Sequence, residues 1–195
     1  MISTHSSEND PRNEEIFIYI NGKLYPKKEA KISVYDSGFL LGDGVWEGIR
    51  LHNSEWIFLD QHLSRFFEAA KATGIDVGLG KEELFSILEK TRTKNKMTHD
   101  VHARLMLTRG EKIRPFQHPD LSIYGPTLVI IMEHSIPLTK DPSKKIRLVT
   151  VPQVRGLPMS QDPKLNSHSK LNCVLACLQA KEAGGDEALM LDPHG

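Results

Sequence analysis

The first apolar run, Ile16-Phe-Ile-Tyr-Ile20, is short, β-branched and aromatic, which predicts a strand. Asn21-Gly22 follows it and predicts a two-residue hairpin turn, because both residues tolerate the positive φ such a turn needs. Ile32-Ser-Val34 is a short extended piece. Val45 to Leu51 and Trp56 to Leu59 flank a turn at Asn53-Ser54 and read as a second hairpin. The period then changes. Leu63, Phe66, Phe67 and Ala70 recur at helical spacing, so a helix is expected through about Ala72, with Asp60 as its N-cap and Gly74 as its stop. Leu84, Ile87 and Leu88 give a second helix over Lys81 to about Lys94. Val101–Thr108 and Thr127–Met132 read as strands, and the loop between them, Gly110 to Pro126, is long enough to suggest a lid or an interface.

The same patterning divides the chain. Residues 1–14 are polar and mixed in charge and predict a disordered start. A small N-terminal domain is expected over 15–134. The two prolines and the charge cluster of 135–145 predict a linker. The pattern restarts over 146–195, with a strand Ile146–Val151, a loop 152–167, a helix from about His168 to Ala183, Gly184-Gly185 as its stop, and a strand Asp186–Asp192. A restart of this size buries its own faces poorly, which predicts an incomplete second domain. No internal repeat or low-complexity tract is visible.

Composition narrows the function classes. Among 195 residues, 25 basic side chains balance 25 acidic ones, so no overall field favours nucleic acid or an anionic membrane. No apolar run approaches the ~18 residues that a membrane span needs, and the N-terminus has no signal-peptide pattern. A cytoplasmic protein is expected. Cys173 and Cys177 share a helix face at a spacing that disfavours a disulfide, and are expected to be small buried apolar residues. His99 and His102 lack the further ligands of a metal set, so no metal is expected. Ser167-His-Ser-Lys170 is an S-x-x-K string without its companion motifs, and no P-loop or dinucleotide fingerprint is present.

Several stretches carry a resemblance. Tyr19-Ile-Asn-Gly22, then Asp36-Ser-Gly-Phe-Leu-Leu-Gly-Asp-Gly-Val-Trp-Glu-Gly-Ile-Arg50, then Asp60-Gln-His-Leu-Ser-Arg65, Arg104 with Thr108-Arg-Gly110, and finally Asp186 to Asp192 stand in one order. From Ile18 onward the chain resembles the class IV (fold-type IV) aminotransferases, which use pyridoxal phosphate. The resemblance implies an α+β fold with a small N-terminal domain and the beginning of a larger β-rich one. It implies a homodimer that transfers an amino group from a branched-chain or D-amino acid to a 2-oxo acid. The lyase branch that makes 4-aminobenzoate has similar strands and stays open. By resemblance Arg65 binds the cofactor phosphate, which suits a planar guanidinium facing a dianion. Trp46 would line the substrate pocket, and Arg104 and Arg109 would each either meet the substrate carboxylate or pair with acids, Arg104 being the one assigned to substrate. Read without the resemblance, Arg65 is a solvated helix position and Trp46 a core aromatic.

One position departs from the pattern. The family's cofactor-bearing lysine follows an arginine by eleven residues, in a stretch similar to Asp162-Pro-Lys-Leu-Asn-Ser-His-Ser-Lys-Leu-Asn172; here Arg155 precedes Asn166 by that interval. The lysine therefore falls on Asn166 and the family's tyrosine on Lys170, while Lys164 stands just upstream. An amide nitrogen has a delocalised lone pair and is neither nucleophile nor base near pH 7, so turnover should drop by orders of magnitude. Three outcomes are open: a shift that brings Lys164 in, a substitution by Lys170, or a lysine-less paralogue or truncated form that holds the cofactor without a bond, or not at all, and has a binding role. The carboxylate facing the cofactor's ring nitrogen lies, in the family, beyond the strand ending near Asp192, so the 195 residues alone are expected to be catalytically silent.

Overall fold

The computed structural model describes residues 10–135 and 145–195. Residues 10–135 together with 166–168 form one compact unit, and 145–165 with 169–195 form another. The linker expected at 135–145 lies, apart from its two end residues, outside the described residues, as do residues 1–9. Among the described residues, no helix is long and apolar enough to cross a membrane.

The first unit is built on β1 (Phe17–Ile20), β2 (Lys23–Pro26), β3 (Gly44–His52), β4 (Glu55–Trp56), β5 (Val101–Thr108) and β6 (Thr127–His134). They make one sheet in the order β2-β1-β6-β5-β3-β4, every pair antiparallel. Asn21 and Gly22 take φ of 42° and 92°, the geometry expected of the β1–β2 turn. Strand alternation then sorts the faces. Val45, Ile49 and Leu51 of β3, Val101, Ala103, Leu105 and Leu107 of β5, and Ile130 and Met132 of β6 are buried. Leu63, Phe66, Ala69 and Ala70 of helix α2 (Leu59–Ala72), with Leu84 and Leu88 of α3 (Lys81–Lys94), complete the core.

Several expectations change. Of residues 1–14, read as disordered, 10–14 are ordered: Pro11–Asn13 form a 3-10 turn, and the Asn13 amide both donates to His134 O (2.9 Å) and accepts from His134 N–H (2.7 Å). One side chain thereby satisfies backbone groups of β6 that the sheet leaves open. Asp60 is not the N-cap of α2; Phe58, at φ 52°, precedes the helix, and Asp60 in its first turn pairs with Lys81. The carboxylate there still suits the positive end of the helix dipole. The glycine-rich loop contains a short helix, α1 (Ser37–Leu41), capped by the Asp36 side chain and stopped by Gly42 at φ 68°.

The loop 110–126 is pinned from within. Lys112 is buried, and its ammonium donates to His118 O (3.1 Å) and Ser122 Oγ (3.3 Å). Arg109 pairs with an acid: its Nε and Nη2 reach the two Asp43 oxygens at 2.8 and 3.0 Å, and it also donates to Thr73 O and Gly74 O.

The second unit holds β7 (Leu148–Thr150), α4 (Pro158–Gln161), α5 (Leu171–Glu182) and β8 (Glu187–Leu189), with β7 and β8 parallel. Ala176 and Ala180 of α5 pack with Val151, Val149, Ala188 and Met190. Cys173 is half-buried and Cys177 exposed, against the expectation that both are buried, because the alanines form the face of α5 that closes on the strands.

Candidate functional site

Trp46 and Arg104 meet across the β3–β5 ladder. Gly48 pairs with Arg104 and Trp46 with Met106, so all four residues stand on the sheet face away from α2 and α3. The Arg104 guanidinium lies over the Trp46 ring, 4.2 Å from its centroid, a cation–π contact. Gly48 leaves the room: a Cβ there would stand 2.8 Å from His102 Nε2 and 3.4 Å from Trp46 Cζ3. Burial pushes the His102 imidazole below its ordinary value, and the nearby Arg50 and Arg104 push it the same way against Glu133. The ring is therefore neutral at pH 7, and the local charge is carried by guanidiniums facing an apolar wall.

Residues 166–168 lie antiparallel along the start of β3. Trp46 N–H donates to Asn166 O (2.8 Å), His168 N–H donates to Gly44 O (2.9 Å), and Ser167 pairs with Val45. The indole Nε1 of Trp46 donates to Ser167 O (3.1 Å), and His168 Nε2 lies 3.2 Å from Val45 O. Gly44 is required for this approach, since a Cβ there would come within 2.5 Å of Leu107 O and 2.8 Å of His168 Cδ2. This docking also explains why α5 starts at Leu171 rather than near His168: residues 166–168 are in extended pairing instead of helix. Asn166 is thus held opposite Trp46.

Arg65 stands apart from Trp46 and Arg104. It projects from α2 toward the other face of β3, where its Nε and Nη2 grip the two oxygens of Glu47 at 2.5 and 2.6 Å. His62 Nδ1 reaches Glu47 Oε2 at 2.8 Å. The Glu47 side chain is 1% exposed and that of Arg65 52%. The hydrogen bond to Glu47 raises the guanidinium's pKa further, so the charge is permanent. Sequence reasoning missed Glu47. Its signal was a carboxylate at an odd-numbered position of β3, where Val45, Ile49 and Leu51 all face the core.

Lys164 and Lys170 belong to the second unit. Lys164 is exposed in a turn, its N–H donating to Asp162 Oδ1 (2.9 Å). Lys170 immediately precedes α5 and lines a cleft with Arg155, Asp162, Asn172 and Cys173. Arg155 reaches Cys173 Sγ at 3.6 Å and Pro163 O at 3.5 Å. Among the described residues no group of three His, Cys, Asp or Glu side chains could hold a metal ion.

Comparison with known proteins bears on the whole arrangement. The family of amino-transferase class IV matches residues 44–195. A Methanocaldococcus jannaschii protein, assigned provisionally as a branched-chain-amino-acid aminotransferase, is 39% identical over 179 residues, which is 91% of this chain and 60% of the relative. The branched-chain-amino-acid aminotransferase-like protein 1 of Arabidopsis thaliana is 34% identical over 95% of this chain and 33% of its own length. The chain therefore spans between a third and three fifths of these curated relatives. Among solved structures, the branched-chain aminotransferase of Thermoproteus uzoniensis with norvaline superposes with a TM-score of 0.78 at 27% identity, covering 93% of this chain and 61% of that one. A T.th. branched-chain amino acid aminotransferase with pyridoxamine 5′-phosphate gives 0.81 at 26% identity, covering 93% and 60%. The α+β fold is that of the fold-type IV enzymes, and the chain belongs to the class IV aminotransferases.

Proposed function

We propose that the chain binds pyridoxal phosphate and an amino acid or 2-oxo acid, as a branched-chain or D-amino acid aminotransferase does, but holds the cofactor without a covalent bond and turns over slowly. The side chains fit such a group in part. Arg65 is permanently charged, half exposed and has a guanidinium edge uncommitted to Glu47, which suits a phosphate monoester. Arg104, spread over Trp46, suits a substrate carboxylate beside an apolar wall. Asn166 does not fit the family's covalent link.

When bound, pyridoxal phosphate supplies an electron sink for removal of a proton from the amino acid's α-carbon. The chain's own residues divide the remaining work. Arg65 would hold the phosphate, Arg104 would hold the carboxylate, and Trp46 would wall off water. The Asn166 amide donates and accepts hydrogen bonds, but near pH 7 it takes no proton from carbon. A homodimer belongs to the same reading, and light scattering on the full chain checks it.

The observation that carries the proposal is the register of 166–168 on β3. Bringing Lys164 to the place of Asn166 would break the Trp46 N–H and His168 N–H bonds and both side-chain contacts. The test is borohydride reduction of the protein loaded with pyridoxal phosphate, followed by digestion and mass spectrometry. Wild type is expected to show no stable adduct and no dialysis-resistant absorbance at about 400–430 nm, whereas Asn166→Lys gains both at position 166. An adduct on Lys164 or Lys170 of the wild type would overturn the reading.

A further inference from the structure

We propose that Glu47 is the positioning residue of the phosphate site, locking the Arg65 guanidinium so that its Nη1 edge alone is presented to a phosphate monoester. The inference rests on the phosphate role of Arg65 given above and adds what aims it. A carboxylate on the core-facing side of a strand is costly to bury, and a buried ion pair is no more stabilising, as a rule, than apolar packing of the same volume. Fold stability alone therefore gives little reason for an acid at this position, between Val45 and Ile49 on the buried face of β3.

The geometry gives a better one. Glu47 is fixed by its strand and almost wholly buried, so it cannot follow a moving partner. It engages Nε and Nη2 of Arg65 at 2.5 and 2.6 Å, and His62 holds Oε2 from the other side at 2.8 Å. Among the described residues Nη1 of Arg65 donates to nothing. An arginine on an exposed helix surface otherwise samples many rotamers, and a rigid fork loses less freedom when it binds. The same contact has an opposing effect, because the negative charge of Glu47 weakens the attraction of Arg65 for an anion. Orientation and field therefore predict opposite outcomes for one substitution, and that makes the inference decidable.

Pyridoxine 5′-phosphate and pyridoxine serve as probes, since neither carries an aldehyde and both report binding without turnover. Their affinities are measured by equilibrium dialysis on the full chain, on Glu47→Gln, on Arg65→Ala and on the double variant. Wild type is expected to prefer the phosphorylated probe. Glu47→Gln should lose about tenfold for that probe, the loss of one charge-assisted hydrogen bond, and nothing for pyridoxine. In the Arg65→Ala background, Glu47→Gln should have no further effect.

Unchanged or tighter phosphate-probe binding by a folded Glu47→Gln overturns the inference while leaving the phosphate role of Arg65 intact. A wild type indifferent to the phosphate overturns both. Should Glu47→Gln fail to fold by circular dichroism, the wild type decides through its Arg65 Nε–H NMR resonance, assigned with Arg65→Lys. The resonance is expected to persist when inorganic phosphate is added. Its loss to rapid exchange means that phosphate pulls the guanidinium off Glu47, and the inference falls.

Discussion

The two units solve the same packing problem with different side chains. In the first, one face of a six-stranded sheet is covered by α2 and α3, and large residues such as Phe66, Leu84, Leu88, Leu105 and Ile130 are fully enclosed. In the second, a parallel pair of strands meets a helix through Val151, Ala176 and Ala180, while Leu171, Val174, Leu175 and Leu178 of that helix remain 39 to 71% exposed. Size explains the contrast. Small residues let α5 come close to β7 and β8, but they bury little apolar area, and area removed from water is the main source of stability. The lesson is that the first unit is fastened by volume and the second by fit.

Substitutions should separate the two modes. Phe66→Ala removes an enclosed ring that stacks edge-on with Phe67 at 5.9 Å, and should cost about 3–5 kcal/mol in denaturant unfolding. A loss below about 1 kcal/mol would mean that the core collapses into the gap, and the comparison would fail at its strong end. Gly185→Ala attacks the other mode. A Cβ there would lie 2.5 Å from Val149 Cγ2 and 3.3 Å from Ala180 O, so about 1–3 kcal/mol of overpacking is expected. A neutral effect would show that β7 and α5 are not in close fit.

The same contrast between near and far interactions decides what was readable from the chain. The Asn21-Gly22 turn and the α3 stripe were legible because their causes lie within a few residues. Asn166 was legible because the family spacing from Arg155 is local too. The start of α2 was misread, since the positive φ of Phe58 has no sequence signature and Asp60 invites the cap reading. The docking of Asn166–His168 on β3 joins positions more than a hundred residues apart, and no periodicity reports it. Glu47 stands inside a family motif, and only its place on the buried face of β3, which strand pairing reveals, sets it apart. Sequence showed which residues were present, and pairing across the sheet decided which of them meet.

Protonation offers a smaller lever confined to the first unit. His102 in β5 and His134 in β6 both have imidazoles pushed below their ordinary value, first by burial and then by Arg50 and Arg104 for His102 and by Arg12 for His134. The unfolded chain, with histidines near 6.5, then binds protons more readily than the folded one. Their contribution to stability is complete above about pH 6.5 and is lost as pH falls from there through the folded values. Thermal melts across pH 5 to 8, roughly the range in which histidine titrates, should show this fall, and His102→Gln should flatten it. An unchanged slope in the variant would remove His102 from the account.

The smallest expected effect tests the weak end of the comparison. Leu178 is 50% exposed and shares its stripe with Leu171, Val174 and Leu175, so Leu178→Ala should change stability by no more than about 0.5 kcal/mol. A loss of about 2 kcal/mol or more would instead be the cost of emptying a covered site. Protein concentration then separates the explanations. If a second copy of the chain covers the stripe, the melting temperature of the wild type rises with concentration and that of Leu178→Ala does so less. If both melting temperatures are independent of concentration and the loss is small, the stripe is bare in the isolated chain. Its leucines then lie outside the stability of the second unit, which is carried by Ala176 and Ala180 packed with Val149, Val151, Ala188 and Met190.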